Sequence, residues 1–395
     1  MPKVEPNILI WARETAQFSV EDAAHKLNLS DGKSTSAAEK LAAYESGEKA
    51  PSRALLLRMA KQYRRPLLTF YLDKPPLTGD RGEDFRTLPD RIDGVVNAYV
   101  DTLIRDIKAR QVTVRETLID ADEAHPLAFV GRHAMGNGID SVASAVKEFL
   151  SLDIEDYRAQ QNHKDAFRLL REHAEKAGIF VILRGNLGSW HTDIDVGAFR
   201  GFALADEIAP FIVINDRDAE AAWSFTLLHE LAHIALGETG VSGMYPRAGI
   251  EKFCNDVASE ILLGDDEFDA FGIAGLSLEE LKSRVSSFAF VCKLSSSHIA
   301  YRLYRRGDIE RDIWHELRDF YRAKWQEEQE KKREKSRQTE GGPNYYVVKN
   351  YKMGGLVSLV KRLTYAGAIT TTKAGMLLDV RPLKVHKLFE MEQST

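Results

Sequence analysis

The stretch from Trp223 to Gly237 constrains the fold more than any other part of the chain. It is strongly helical in character and contains His229, Glu230 and His233 in the pattern H-E-x-x-H. Residues four apart lie on one face of an α-helix, so the two imidazoles would be neighbours there. Such a pair can bind a metal ion with a carboxylate beside it. We therefore predict a helix that carries half of a zinc site.

A catalytic zinc ion takes three protein ligands and keeps a fourth position for water. The helix predicted next offers Glu251 and Glu260, which are nine residues apart. At about 100° per residue they lie roughly half a revolution apart around the helix axis, so only one can face the metal. We favour Glu251, because Asn255 lies one turn further on the same face, where its side-chain carbonyl could accept the proton of a ligand imidazole. Glu260 remains the alternative.

Glu230 lies next to a ligand but is expected to act as a general base. Its carboxylate would take a proton from the attacking water and pass it to the leaving nitrogen of a peptide bond. Another group must stabilise the developing oxyanion, and Tyr245, in the loop between the two ligand segments, is a candidate. The alternative interpretation is a pair of histidines buried in a helix core beside a surface glutamate.

Short β-branched and aromatic runs precede this helix. Segments 179–183, 197–204 and 210–215 predict three strands of a small sheet. Helical periodicity dominates the remainder. The predicted fold class is α+β with several domains: an N-terminal all-α bundle, a central zincin-like domain with a small sheet and the H-E-x-x-H helix, and an α-helical C-terminal region.

Changes in composition divide the 395 residues, and the turn-rich stretch around Pro75 and Pro76 is the clearest break. The predicted segments are N-terminal helices at 1–75, a linker and helical lead-in at 76–160, the zinc domain at 161–310, a charged helical tether at 311–342 and a small basic helical domain at 343–395. For the tether, a solvated spacer is the favoured interpretation.

The net charge of −5 is unevenly distributed. Residues 1–70 carry a net charge of +3 and residues 343–395 a net charge of +5, so the remainder is acidic. Basic ends suit contact with an acidic polymer or partner better than the middle does. Charges scattered by chance over a solvated surface would give a similar imbalance at either end.

The start of the chain lacks the basic and apolar parts of a secretory signal, and no stretch is apolar for the roughly 18 residues of a membrane span. Only Cys254 and Cys292 are present, without C-x-x-C spacing, so neither a disulfide framework nor a thiolate zinc site is expected. We predict a cytoplasmic protein with no membrane contact.

Segments 19–30, 44–52 and 57–60 are similar to the helix-turn-helix of lambda-repressor-like, Xre-type regulators. The resemblance implies that a helix opening at Ser34, Thr35 and Ser36 and running through Lys40 enters the major groove of double-stranded DNA, and such domains often act as homodimers. Residues 31–35 look inserted in the turn. A protein-docking or degenerate domain is therefore the alternative to DNA binding.

Segments 211–215, 225–233 and 251–263 closely resemble the ImmA/IrrE family of zinc metallopeptidases, over roughly residues 165–310. The resemblance implies a gluzincin-like site and, as in several members, cleavage of a partner repressor. Members with a repressor-like helix-turn-helix in front are common, which matches the order here. Where the family usually has Leu-Met-Pro, this chain has Leu263-Gly264-Asp265, at the exit of the third-ligand helix.

Two functions are thus kept open. The first is a zinc-dependent endopeptidase that cleaves a transcriptional repressor in a stress or mobile-element regulatory circuit. The second is a transcriptional regulator or antitoxin whose peptidase-like domain is a non-catalytic sensor or docking platform. The presence of Glu230 favours the enzyme, because a site that no longer catalyses a reaction does not need a general base.

Overall fold

The computed structural model describes residues 4–32, 35–75, 94–238, 248–338 and 344–391. It is 64% helical and has one three-stranded sheet in this part of the chain, in keeping with the predicted α+β class. None of the described helices is long and apolar enough to cross a membrane. Contacts divide the chain into two compact units, one comprising 1–81, 87–106 and 186–198 and the other the remaining residues. The finer division into five segments stays a prediction.

Four helices form the N-terminal bundle of the first unit: α1 (Pro6–Glu14), α2 (Val20–Lys26), α3 (Ala37–Glu45) and α4 (Arg53–Gln62). The side chains of Ser19, Ser36 and Ser52 cap α2, α3 and α4 by accepting a backbone N–H of the first turn. An apolar core holds the helices together; it includes Ile8, Leu9, Ala12, Leu27, Leu41, Leu56, Met59 and Phe70.

The connection between α2 and α3 differs from that of a common helix-turn-helix. It comprises ten residues, 27–36, whereas such motifs use a turn of three or four. An ion pair between Arg13 Nε and Glu45 Oε1, 2.8 Å apart, ties α3 to α1. The bundle is therefore well packed, and its assignment as a helix-turn-helix remains a prediction.

A long helix, α5 (Gly94–Asp120), follows, with its residues up to 106 counted in the first unit. The second unit then has α6 (Ile139–Leu150), α7 (Ile154–Arg158) and α8 (His163–Lys176) before its sheet. Asp153 and Asn162 cap α7 and α8. Amphipathic helices of this kind bury one apolar face, and α6 and α8 place theirs in a single core with the sheet.

The sheet has three short strands: β1 (Phe180–Leu183), β2 (Gly201–Leu204) and β3 (Phe211–Ile214). Each lies within one of the predicted strand segments. Their order is β1-β3-β2, with β3 parallel to β1 and antiparallel to β2. One face of the sheet contributes Val181, Leu183, Ala203, Ile212 and Ile214 to the core.

The helix that carries the H-E-x-x-H pattern, α9 (Glu220–Ala235), packs on this sheet and against α6, α8 and the next helix. The remaining helices of the peptide chain up to residue 338 are α10 (Ala248–Leu262), α11 (Asp265–Asp269), α12 (Leu278–Val291), α13 (Ser296–Arg306) and α14 (Arg311–Gln338). Beyond Tyr321, most described side chains of α14 are exposed.

Four helices follow near the C-terminus: α15 (Tyr345–Met353), α16 (Gly355–Tyr365), α17 (Thr371–Leu378) and α18 (Val385–Glu390). They belong to the second unit, and α15 and α16 contact β1. Their basic side chains include Lys352, which lies 2.5 Å from Asp216, and Arg362, which lies 2.5 Å from Glu123. Part of the basic charge that predicted an external acidic partner is thus paired within the unit.

The buried guanidinium of Arg171 joins these helices to α8 and β1. It donates hydrogen bonds to the backbone oxygens of Val181 and Tyr351, and to the carboxylate of Glu175 at 2.8 Å. Gly354, whose φ is +49°, has no room for a side chain, because a Cβ there would lie 2.1 Å from both the Arg171 guanidinium and the Glu175 carboxylate. Backbone conformation and space therefore both require glycine here.

We expect Arg171→Met to lower the free energy of unfolding by about 3 kcal/mol, because it leaves Glu175 buried without its cation. Urea unfolding measures the loss, and hydrogen exchange should locate it in α15 and α16. Arg168→Met is the matched control in the same helix, since this side chain is 60% exposed and makes only a surface pair. Equal stability of the two variants would show that Arg171 does not hold the C-terminal helices in place.

Candidate metal centre

The helix α9 is buried almost all round. Every residue from 226 to 235 is buried, with the sheet on one side and α6, α8 and α10 on others. Ala, Leu and Ile at most of these positions favour both helix and burial. Three side chains in this stretch are ionisable, those of His229, Glu230 and His233. Burying such groups is costly unless they pair or bind a metal.

The C-terminal end of α9 is held by a distant loop. The backbone N–H groups of Gly131 and His133 donate to the oxygens of Ile234 and Ala235, each at 3.0 Å. Gly237 ends the helix with φ +71°, and a Cβ there would lie 2.9 Å from Gly131 Cα. These bonds satisfy carbonyls that a helix end leaves without partners. Sequence reasoning missed this loop, since no local pattern indicates a contact across a hundred residues.

Three side chains converge on one point. The Nε2 atoms of His229 and His233 are 3.1 Å apart. Each Nε2 atom also lies 3.3 Å from an oxygen of Glu251, which α10 contributes from its first turn. Among the described residues, these form the only group of three or more histidine, cysteine, aspartate or glutamate side chains suited to hold a metal ion.

The spacing of these three ligand atoms fits a tetrahedral metal site. Bonds of roughly 2.0–2.1 Å to a four-coordinate ion separate its ligand atoms by about 3.3 Å. The two Nε2 atoms are 3.1 Å apart, and each lies 3.3 Å from a different carboxylate oxygen of Glu251, Oε2 for His229 and Oε1 for His233. Two imidazoles with one carboxylate leave a fourth position open, as catalytic sites require. The residues present therefore fit a metal ion of this kind.

The electrostatics of the cluster favour an ionised carboxylate. Burial alone would raise the pKa of Glu251, but hydrogen bonds from His229 and His233 outweigh it and hold that pKa well below its usual range. An ionised carboxylate is the form that ligates a metal. The third side chain is thus in the protonation state that metal binding needs.

The alternative ligand lies elsewhere. Burial raises the pKa of Glu260, as do the neighbouring carboxylates of Asp265 and Asp140, so Glu260 belongs to an acidic environment away from the histidines. Asn255 is exposed, and in the described part of the chain it makes no hydrogen bond to either imidazole. The predicted hydrogen bond from a ligand imidazole to Asn255 is therefore not seen. The carboxylate of Glu251, one turn earlier on the helix, does lie next to both imidazoles.

Glu230 is 2% exposed and lies against β2. A Cβ added to Gly201 would meet its Oε1 at 2.9 Å, so the carboxylate occupies the space above that glycine. Glu230 directly follows the candidate ligand His229 on α9. A buried carboxylate beside a metal site is suited to move a proton.

The remaining predicted residues are Tyr245 and the candidates for DNA contact, Ser34, Thr35, Ser36 and Lys40. Tyr245 and Ser34 lie outside the described residues. Ser36 accepts the N–H of Glu39 and starts α3, while Lys40 Nζ donates to the oxygen of Ser30 at 2.6 Å. The side chains of Ser36 and Lys40 are thus used in local structure, and DNA binding by the four candidates stays a prediction.

Comparison with known proteins agrees with this geometry. Neither a curated protein nor a solved structure gives a match. Residues 174–304 match a peptidase family model described as the IrrE N-terminal-like domain. The matched segment contains the three strands, α9 and α10. This match supports a similarity to the ImmA/IrrE family and suggests that residues 174–304 form a metallopeptidase-like domain of that type.

Proposed function

We propose that the protein is a zinc-dependent endopeptidase. The observation that carries the proposal is the convergence of two buried imidazoles and the carboxylate of Glu251, with a second carboxylate, that of Glu230, on the same buried helix as the imidazoles. A purely structural histidine pair would need neither the third ligand from α10 nor the open fourth position. The match to a peptidase family supports the same conclusion.

In this mechanism His229, His233 and Glu251 hold the ion. Zinc, when bound, supplies Lewis acidity that polarises a peptide carbonyl and makes water a better nucleophile at neutral pH. Glu230 accepts a proton from the attacking water and returns it to the leaving amine. Burial keeps bulk water away from this carboxylate, which is 2% exposed.

The substrate class that we propose is a protein, namely a transcriptional repressor acting in the same regulatory circuit in the cytoplasm. The similarity of the N-terminal segments to repressor-like domains supports it, since such a bundle in front of a peptidase suits binding a repressor or its operator. The non-catalytic alternative makes the domain a sensor or docking platform. Glu230 adjoining a complete ligand set favours cleavage over that alternative.

The ligand set predicts the metal content. Purified protein should hold about one zinc per chain, and Glu251→Ala should lose most of it because two imidazoles alone do not complete a site. Metal analysis after dialysis against a weak chelator measures this. Glu260→Ala removes a carboxylate from the same helix and should keep the zinc. Normal zinc in Glu251→Ala would move the third-ligand role to another residue.

If Glu230 is the general base, replacing it should affect peptide cleavage but not zinc binding. Glu230→Gln should retain zinc but lose about 10²- to 10⁴-fold in cleavage rate, since the amide cannot accept the proton. The assay incubates wild type and variant with the repressor encoded by the adjacent gene, with and without zinc. A cut made only by zinc-loaded wild type supports the enzyme, and undiminished cleavage by the variant would remove Glu230 from the mechanism.

The N-terminal bundle predicts a further result if it contacts double-stranded DNA. Affinity for duplex DNA should then fall steeply, by about 10³-fold for six phosphate contacts, between 50 and 200 mM salt. Fluorescence anisotropy with Lys40→Met should show weaker binding, whereas Lys61→Met, on α4, serves as the control. No binding by the full chain at low salt would favour a protein-docking domain.

A further inference from the structure

The strand β2 approaches α9 with its smallest side chains. Residues two apart in a strand point to the same face, so Gly201 and Ala203 share one side of β2. Ala203 lies in the core cluster that includes the buried residues of α9, and the space next to Gly201 borders Thr226 and Glu230 of α9. The strand therefore presents little more than backbone to the helix that carries the metal site.

Gly201 has no room for even a methyl group. A Cβ built there would lie 2.5 Å from Thr226 Cγ2, 2.9 Å from Glu230 Oε1 and 3.2 Å from the oxygen of Val213. Its φ lies outside the left-handed region, in contrast to ten other glycines of the chain. Space rather than backbone conformation is thus the reason for glycine at this position.

The neighbours of Gly201 differ in how far they can move. The oxygen of Val213 belongs to the central strand β3, and Thr226 is 6% exposed in a helix packed on several sides. The bonds from Gly131 and His133 also hold the end of α9. The group with the most rotatable bonds in this contact is the Glu230 side chain, so an added methyl would move its carboxylate first.

We propose that Gly201 is a positioning residue that sets the place of the Glu230 carboxylate relative to the metal ligands. The inference rests on the proposed function, in which Glu230 transfers the proton. A side chain at position 201 pushes the carboxylate away from β2 while His229, His233 and Glu251, which are not among the three nearest atoms to an added Cβ, keep their places. A displacement near 1 Å is enough to lower a reaction rate about 10²-fold.

The kinetic test uses Gly201→Ala in the full chain. Its substrate is the peptide that wild type cleaves fastest in an internally quenched fluorescent library. We expect kcat to fall about 10²-fold with KM and zinc content unchanged, because ligands and substrate contacts stay while the proton acceptor moves. Gly272→Ala adds the same methyl where nothing lies within 4 Å, and it should behave as wild type.

A second variant separates positioning from a general disturbance of the fold. Thr226→Ser removes the methyl that the new Cβ would meet at 2.5 Å but leaves the contact with Glu230. Gly201→Ala combined with Thr226→Ser should therefore regain wild-type thermal stability yet keep the low kcat. Recovery of kcat together with stability would overturn the proposal, since the helix and not the carboxylate would then have been displaced.

A crystal structure of zinc-loaded Gly201→Ala tests the inference without any substrate. The Glu230 carboxylate should lie about 1 Å further from β2 than in wild type, with the three ligands unmoved. An unmoved carboxylate overturns the inference even if the enzyme is active. Absence of cleavage by wild type, by contrast, would count against the proposed function. A carboxylate that moves in Gly201→Ala would still support the inference that Gly201 sets the position of the Glu230 carboxylate.

Discussion

The structure of the second unit depends on packing one helix, α9, that buries three titratable side chains. Apolar residues of α9 fill the space between the sheet and its neighbouring helices, and this packing takes His229, Glu230 and His233 out of water. Such burial is unfavourable unless each group has a compensating partner. Glu251, reaching across from α10, supplies an anion at the point where the imidazoles meet. The contact between α9 and α10 therefore both completes the apolar core and brings the three candidate ligands together.

The parts of this arrangement that follow local periodicity could be predicted from the sequence. The spacing of His229 and His233 placed them on one helix face, and β-branched runs located the three strands. Glu251 was preferred over Glu260, and the structure brings it to the imidazoles. The reason for that preference does not hold, because Asn255 is exposed and bonds neither ring. The angle between residues around a helix axis showed that Glu251 and Glu260 cannot both face the metal site. The predicted contact of Asn255 with an imidazole depended on helix packing, which the sequence does not show.

Contacts between residues far apart in the chain could not be predicted. The guanidinium of Arg171 binds backbone oxygens 180 residues away, and carbonyl groups have no sequence signature. The basic residues near the C-terminus indicated an acidic partner, yet Lys352 and Arg362 pair with acids of the same unit. Gly201 lies inside the predicted strand segment 197–204, and no role of its own was predicted for it. A glycine inside a buried strand is a signal for close approach, but only the fold shows what approaches.

The loop at Gly131 and His133 bears on where the functional unit begins. It lies more than forty residues before the segment that matches the peptidase family, yet it supplies hydrogen bonds to the end of the metal-binding helix. The core around that helix also includes Val142 and Val146 upstream and Leu317 and Tyr321 downstream. A fragment cut at the limits of the family match would leave helix carbonyls and apolar surface exposed. The packed unit around α9 is therefore larger than the family segment and extends beyond it in both directions along the chain.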